Sequence, residues 1–272
     1  MPNSDRQVQH ITRDSVSSDE VLVLPGPNSE LMPGVTWGRH DCLFTPAYWA
    51  AQVFHHADEL GRAPIRLGDT LVEEVAACLL GGHGAPAETG LAAFQAVRNA
   101  GLLDGDLPSE ADILSVLSRP LVVRGRIVHY RFARRRSRYL SAAVSALRKT
   151  EIADDSHAKF RDDLTRIDGI GLKTASWITR NWLDSDAVAV LDIHVLRAGC
   201  IMGIFPAGAD VRRDYKILES AFLNFAGAIS VRASRLDALI WRQMKSAGQI
   251  GLRAAARALQ RSTASNTLMQ AA

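Results

Sequence analysis

The chain has 272 residues, 47% apolar and 22% charged, with a net charge of +3 and a pI near 8.9. This length is enough for one large domain or two lobes with an ample core, and the balance is that of an ordinary globular chain, not of a disordered or fibrous one. The small positive charge permits nucleic-acid binding without arguing for it, so any such role requires the basic residues to be clustered.

No apolar run reaches the roughly 18 residues of a membrane span, so no membrane partner is expected. The N-terminal stretch MPNSDRQVQHITRDSVSSDE lacks the apolar centre of a signal peptide. Cys42, Cys78 and Cys200 are odd in number and far apart, which suits reduced thiols in a cytoplasmic protein. They are too few for the four-cysteine set that holds an iron–sulfur cluster.

Taken in order, residues 1–20 are polar and are expected to be a flexible lead. VLVLPG (21–26) reads as a short strand or an extended lead-in, and the Pro/Gly-punctuated stretch PNSELMPGVTWGRHDCLF as loop. Thr45 as cap and Pro46 at the first helical position open a helix to about Leu60. Thr70 with Glu73 is a capping-box signature for a helix ending near Leu80. GGHGAPAETG (81–90) is a turn centred on His83, explained well enough as a helix C-cap. LAAFQAVRNAG is a helix closed by Gly101, and Ser109 with Asp112 opens another.

From Arg124 to Arg138 there are seven arginines (124, 126, 131, 134, 135, 136 and 138) and no acid, with Tyr130 and Phe132 interleaved and Tyr139 following. Such a tract neutralises phosphates or stacks on bases, with Arg134, Arg135 and Arg136 at its centre. A solvated helix face is an equal alternative. Further on, Asp210–Phe225 and Ser234–Met244 read as helices, and the Ala-rich stretch after 251 as a helix running into a polar tail over 256–272. There is no internal repeat and almost no strand alternation, so the fold is expected to be mainly α.

The most informative stretch is LTRIDGIGLKTASWITRNWLDSDAVAVLDIHVLR (164–197). Phe160, Leu164 and Ile167 mark one amphipathic helix, and Ala175, Ile178 and Trp182 a second. The turn between them has glycines at 169 and 171. Glycine permits positive φ and close approach of another backbone. The amides of Gly169, Gly171 and Leu172 can then point outward at a helix N-terminus, a natural phosphate site that reads no sequence. Lys173 follows directly, where the helix dipole opposes its charge and favours the neutral, nucleophilic amine. Asp192 lies 19 residues further on, after the apolar run Ala187–Leu191. It can take a proton or stabilise positive charge on a sugar, and it is equally a good N-cap for the next helix.

At these residues the chain resembles the helix-hairpin-helix DNA glycosylase superfamily, and among its members the 8-oxoguanine-excising enzymes of archaeal and bacterial type. Ile167–Ala175 is similar to that family's loop Leu-Pro-Gly-(Val/Ile)-Gly-x-Lys-(Thr/Val)-Ala, with Asp168 in place of the usual proline, and Leu191-Asp192-Ile193-His194 to its Val-Asp-x-His pattern. Asp168 thus puts a negative charge where DNA phosphate approaches. The resemblance covers roughly 65–245, most strongly 160–200. It implies Lys173 as Schiff-base nucleophile and Asp192 as catalytic carboxylate. It also implies DNA contacts at Gly169, Ile170, Gly171, Leu172 and Thr174 in the turn and at His194.

The implied architecture is mainly α, with two helical lobes and the active site in the cleft between them. One lobe is 69–183, ending in the helix-hairpin-helix at about 158–183. The other is built from 21–68 and 184–255. The implied activity is a monomeric DNA glycosylase with abasic-site lyase activity on duplex DNA carrying a modified base. No metal or other cofactor is required for the chemistry; a monovalent cation on hairpin carbonyls is compatible with the resemblance. The substrate expected first is 8-oxoguanine. A hypermodified, for example glucosylated, cytosine of phage DNA, excised in antiviral defence, stays open. So does a non-catalytic DNA-binding module. Trp37, Trp49, Trp177, Trp182 and Trp241 are candidates for base stacking, though each suits a core equally well.

Overall fold

A computed structural model describes residues 8–13, 20–62, 66–82, 84–150, 152–251, 253–254 and 257. The expected tail over 256–272 lies, residue 257 apart, outside the described residues, as does His83. The chain divides into two compact units, residues 1–63 with 189–272, and residues 64–188.

The first unit opens on an antiparallel hairpin, β1 (Gln9–Arg13) with β2 (Glu20–Leu24), in which Gln9 faces Leu24 and Arg13 faces Glu20. Gln9–Arg13 falls inside the stretch read from sequence as a flexible lead. Ile11 and Leu24 are buried under it, and an Arg13–Glu20 ion pair of 2.6 Å closes its end. A second small hairpin, β3 (Glu30–Met32) with β4 (Val35–Thr36), follows.

Helix α1 (Pro46–His55) begins as expected, with the Thr45 hydroxyl accepting from the Tyr48 amide. The helix read through to Leu60 is broken at His56, after which α2 (Ala57–Arg62) restarts. The unit is completed by α9 (Ile193–Met202), α10 (Tyr215–Ala228) and α11 (Ala233–Ala247), with Phe222, Phe225, Leu236, Leu239 and Ile240 in the core.

In the second unit come α3 (Leu71–Leu80), α4 (Ala87–Asn99) and α5 (Glu110–Leu117). Next is a hairpin of β5 (Leu121–Val123) and β6 (Arg126–Val128), then α6 (Ala133–Lys149), α7 (His157–Leu164) and α8 (Leu172–Leu183). Ser109 and Asp112 form a full capping box on α5. At α3, Thr70 caps the Glu73 amide, but the Glu73 carboxylate accepts from the Asp69 amide at 2.7 Å rather than from its cap residue. The core packs Val75, Leu79 and Leu80 of α3 against Phe94, Ile113, Leu117, Leu140, Phe160 and Leu164.

One buried carboxylate joins the start of this unit to its last helix. Glu74 accepts from the Leu67 and Gly68 amides at 2.6 and 3.1 Å through Oε2, and from Asn181 Nδ2 at 2.8 Å through Oε1. These three N–H donors, with the Cys78 thiol as a weaker fourth at 3.6 Å, are what make a fully buried carboxylate tolerable. The Arg66 guanidinium adds to this seam, stacking 4.2 Å from the Trp182 ring and donating to the Trp182 carbonyl.

Candidate active site

Helices α7 and α8 pack against each other and share one apolar face: Phe160, Leu164, Ile167, Ile170, Ala175 and Ile178 all enter the core. Arg161, also buried, ties the pair together by donating to the Ser176 hydroxyl of α8 at 3.3 Å and to the Asp162 carboxylate at 2.6 Å. Between the helices the chain folds back in tight turns. Ile167 donates to the Leu164 carbonyl and Ile170 to the Ile167 carbonyl, both at 3.1 Å. Gly169 takes φ +86°, a conformation an L side chain resists.

Gly171 caps α8 in an extended conformation, with no side chain supplying the capping bond. The first amides of α8, from Leu172, Lys173 and Thr174, therefore stand at an uncapped helix N-terminus beside an exposed glycine, and no acid sits in the first turn. Lys173 and Thr174 are half-buried there. Ile170 does not fit its expected DNA contact: its side chain is in the core and its amide is spent on Ile167. The usable amides of the turn are those of its neighbours.

The turn is buttressed by α6. The Tyr139 ring lies directly over Gly169, and Arg138, stacked 5.0 Å from that ring, reaches within 3.9 Å of the Asp168 carboxylate. The charge that replaces the usual proline thus has a local counter-charge. Both partners are well exposed, so the pair is worth little in stability.

Of the three central arginines, Arg134 and Arg135 are exposed, and Arg135 stacks 5.2 Å from the Phe132 ring. Arg136 is the exception to its expected DNA role. It is 6% exposed and packs beside Gly82 at the end of α3, where a Cβ on that glycine would meet its guanidinium. Burial lowers its pKa, with the nearby Arg135 acting in the same direction.

In the other unit, Asp192 caps α9. Its Oδ1 accepts from the His194 amide at 2.8 Å and the Val195 amide at 3.0 Å, and the residue is 8% exposed. His194 is half-buried in the first turn of that helix.

The strap before Asp192 is held by three side chains that sequence reasoning did not single out. Glu219 accepts from the Ala189 amide at 3.0 Å and Asp237 from the Val190 amide at 2.8 Å. The Tyr215 hydroxyl donates to the Ala189 carbonyl at 2.8 Å and accepts from the Leu191 amide at 3.2 Å. These partners are 24 to 47 residues away in sequence, so no local pattern points to them. Among the tryptophans, Trp37 and Trp49 are core residues, Trp177 and Trp182 are packed on the core, and Trp241 is exposed with Lys245 over its ring.

Two packed helices around a glycine turn, with a lysine in the first turn beyond it, define the helix-hairpin-helix class, here in a mainly helical chain. The chain belongs to the 8-oxoguanine DNA glycosylase family, whose helix-hairpin-helix form matches residues 64–231.

Among curated proteins it is similar to the 8-oxoguanine DNA glycosylase/AP lyase of Metallosphaera sedula, at 32% identity over 126 residues. That match takes in 41% of this chain and spans a little over half, 57%, of the relative's length. Among solved structures it shares its fold with the Methanocaldococcus jannaschii 8-oxoguanine DNA glycosylase, with a TM-score of 0.56 and 22% identity over 72% of this chain and 91% of that one. The structure of the Methanocaldococcus jannaschii 8-oxoguanine glycosylase/lyase in complex with a 15mer DNA containing 8-oxoguanine gives a TM-score of 0.54 at 21% identity, over 73% of this chain and 98% of that one.

Proposed function

We propose that the chain excises a modified base, 8-oxoguanine first, from duplex DNA and nicks the abasic product through a Schiff base on Lys173. The observation that carries this is the position of Lys173. It is half-buried in the first turn of α8, immediately after an exposed glycine at a helix N-terminus with no side-chain cap, an arrangement that suits a DNA phosphate. Membership of the 8-oxoguanine DNA glycosylase family supports the substrate, as do relatives described as acting on that base.

A base inside a duplex is out of reach, so the nucleotide is flipped out before reaction. The Lys173 amine attacks the sugar C1′ and the glycosidic bond breaks, its electron pair leaving with the base, which takes up a proton as the new amine–sugar nitrogen gives one up. Loss of the amine proton and ring opening give the Schiff base, and β-elimination then expels the 3′ phosphate. Asp192 supplies a fixed negative charge for the positive charge that develops on the sugar. Its Oδ1 carries both capping bonds, so Oδ2 is the oxygen that serves.

Borohydride reduction in the presence of an 8-oxoguanine or abasic-site duplex is expected to trap a covalent protein–DNA adduct. Lys173→Ala loses the adduct while keeping DNA affinity, because the turn amides remain. A Lys173→Ala protein that nicks at the wild-type rate defeats the Schiff-base reading, and a wild type that binds DNA but never traps reduces the chain to a binding module.

A further inference from the structure

The β5–β6 hairpin is not used by the reading above, and its surface is unusual. Val122 and Ile127 face each other across the two strands, yet they are 70% and 74% exposed. The loop is the minimal one, Arg124-Gly125, with φ of +49° and +74°. That is the two-residue turn whose twist matches a right-twisted strand pair, so the hairpin is a defined element and not a loose loop. It is anchored by buried Leu121. It is also tethered by an ion pair from Arg124 to Glu88 of α4.

Its charge is one-sided. From residue 113 to residue 150 there is no acid and there are ten lysines and arginines. Among the described residues, neither Arg119, just before β5, nor Arg126, in β6, has an ion-pair partner. The hairpin leads straight into the start of α6. There Arg131, Phe132, Arg134 and Arg135, with Leu114 and Ser118 of α5, line an open cavity of about 540 Å3. One turn further along α6, Arg138 and Tyr139 touch the helix-hairpin-helix turn. Basic residues therefore follow one another along the chain from that turn to the hairpin tip.

We infer that the β5–β6 hairpin is a wing that lies along duplex DNA beyond the helix-hairpin-helix contact, with Val122 and Ile127 against the groove wall and Arg119 and Arg126 at phosphates. The inference rests on the DNA-binding reading above. Charge complementarity selects the partner: an exposed apolar pair with Arg119 and Arg126 close by in the chain and no acid in the segment fits a polyanion with a groove. Chain length sets the reach. Six helical residues from Arg138 to Phe132 rise roughly 9 Å. Seven extended residues from there to Gly125 span at most roughly 25 Å. The tip thus lies within about one duplex turn, roughly 34 Å, of the Arg138–Asp168 contact.

The test is binding of the full chain to abasic-site duplexes lengthened by about ten base pairs on one side or the other. Wild type is expected to gain roughly tenfold in affinity from one of the two extensions and nothing from the opposite one. Arg119→Ser with Arg126→Ser removes most of that gain and lowers the log–log salt slope by about 1.8 on the long duplex alone, at about 0.9 per phosphate. Ile127→Ser lowers the long-duplex affinity without moving the slope, since an apolar contact releases no counterions.

These side chains are exposed, so melting temperatures stay level and a folding defect is separable. A gain that persists undiminished in both variants overturns the wing. So does sedimentation showing a dimer of this chain that Ile127→Ser dissolves, because the exposed pair would then belong to a second copy. Borohydride trapping on the same duplexes reads the glycosylase proposal separately: wild type that shows the one-sided gain but never traps keeps the wing and loses the Schiff base.

Discussion

The ring of Tyr139 occupies the space a side chain at position 169 would need: a Cβ built on Gly169 falls 2.3 Å from Tyr139 Cγ. Together with the φ of +86°, this makes Gly169 doubly intolerant. Gly171 is different, with φ −87° and nothing within 4 Å of a built Cβ. Gly169→Ala is therefore expected to cost about 2 kcal/mol or more. Gly171→Ala stays within about 1 kcal/mol, the usual difference between these residues at an N-cap, but puts a methyl in front of the exposed amides and weakens DNA binding. Urea melts alongside duplex titrations check both. Equal destabilisation by the two changes defeats this division of labour within the turn.

The turn and the first helix caps were legible because their signals are local. Gly-Ile-Gly-Leu-Lys fixes where one helix stops and the next starts, and Ser109 with Asp112 completes its capping box within four residues. The β1–β2 hairpin was not legible as a strand pair, because Val21 and Val23 are apolar on the exposed face and mask the period-2 pattern of EVLVL. The same masking hides β5–β6, where Val122 and Ile127 are exposed.

Arg136 illustrates a different limit. Within consecutive arginines the sequence does not reveal which one faces inward; that depends on the phase of α6 against Gly82, a contact 54 residues away in sequence. The buried Tyr215, Glu219 and Asp237 that hold the strap before Asp192 are invisible for the same reason.

Asp192 has two separable duties, and Asp192→Asn distinguishes them. An asparagine oxygen accepts from the His194 and Val195 amides as the carboxylate does, so the α9 cap and the thermal stability are expected to survive. The negative charge is lost, and base excision is expected to slow by roughly a hundredfold or more. Single-turnover excision of 8-oxoguanine duplex, with a melting curve, decides it. Excision at the wild-type rate with a lowered melting point would leave Asp192 as a cap only.

Alkaline stability is expected to run through Tyr130. Its hydroxyl donates to the Leu80 carbonyl at 2.6 Å inside the core, and burial pushes its pKa up to about 12. The folded value lies above the unfolded one, near 10. The tyrosine's contribution is thus fully present below about pH 10 and is lost as pH rises from there through about 12. Tyr130→Phe removes the hydrogen bond, at a cost of about 1 kcal/mol, and flattens the alkaline limb of stability against pH. Urea midpoints from pH 8 to 12 compare the two proteins. An equally steep loss in Tyr130→Phe assigns alkaline unfolding to other groups.

The exposed arginines of α6 supply the last prediction. Arg134 and Arg135 face solvent at the start of the helix, and Arg136 is buried beside Gly82. Only the first two can then release counterions from DNA. Each neutralised phosphate contributes about 0.9 to the slope of log affinity against log salt, so Arg134→Ser with Arg135→Ser is expected to lower that slope by up to about 1.8. Arg136→Ser is expected to leave the slope unchanged and to lower the melting temperature instead, because it removes packing at the junction of α3 and α6. A slope that falls with Arg136→Ser and holds with the other two would reverse the inward and outward assignment of the tract.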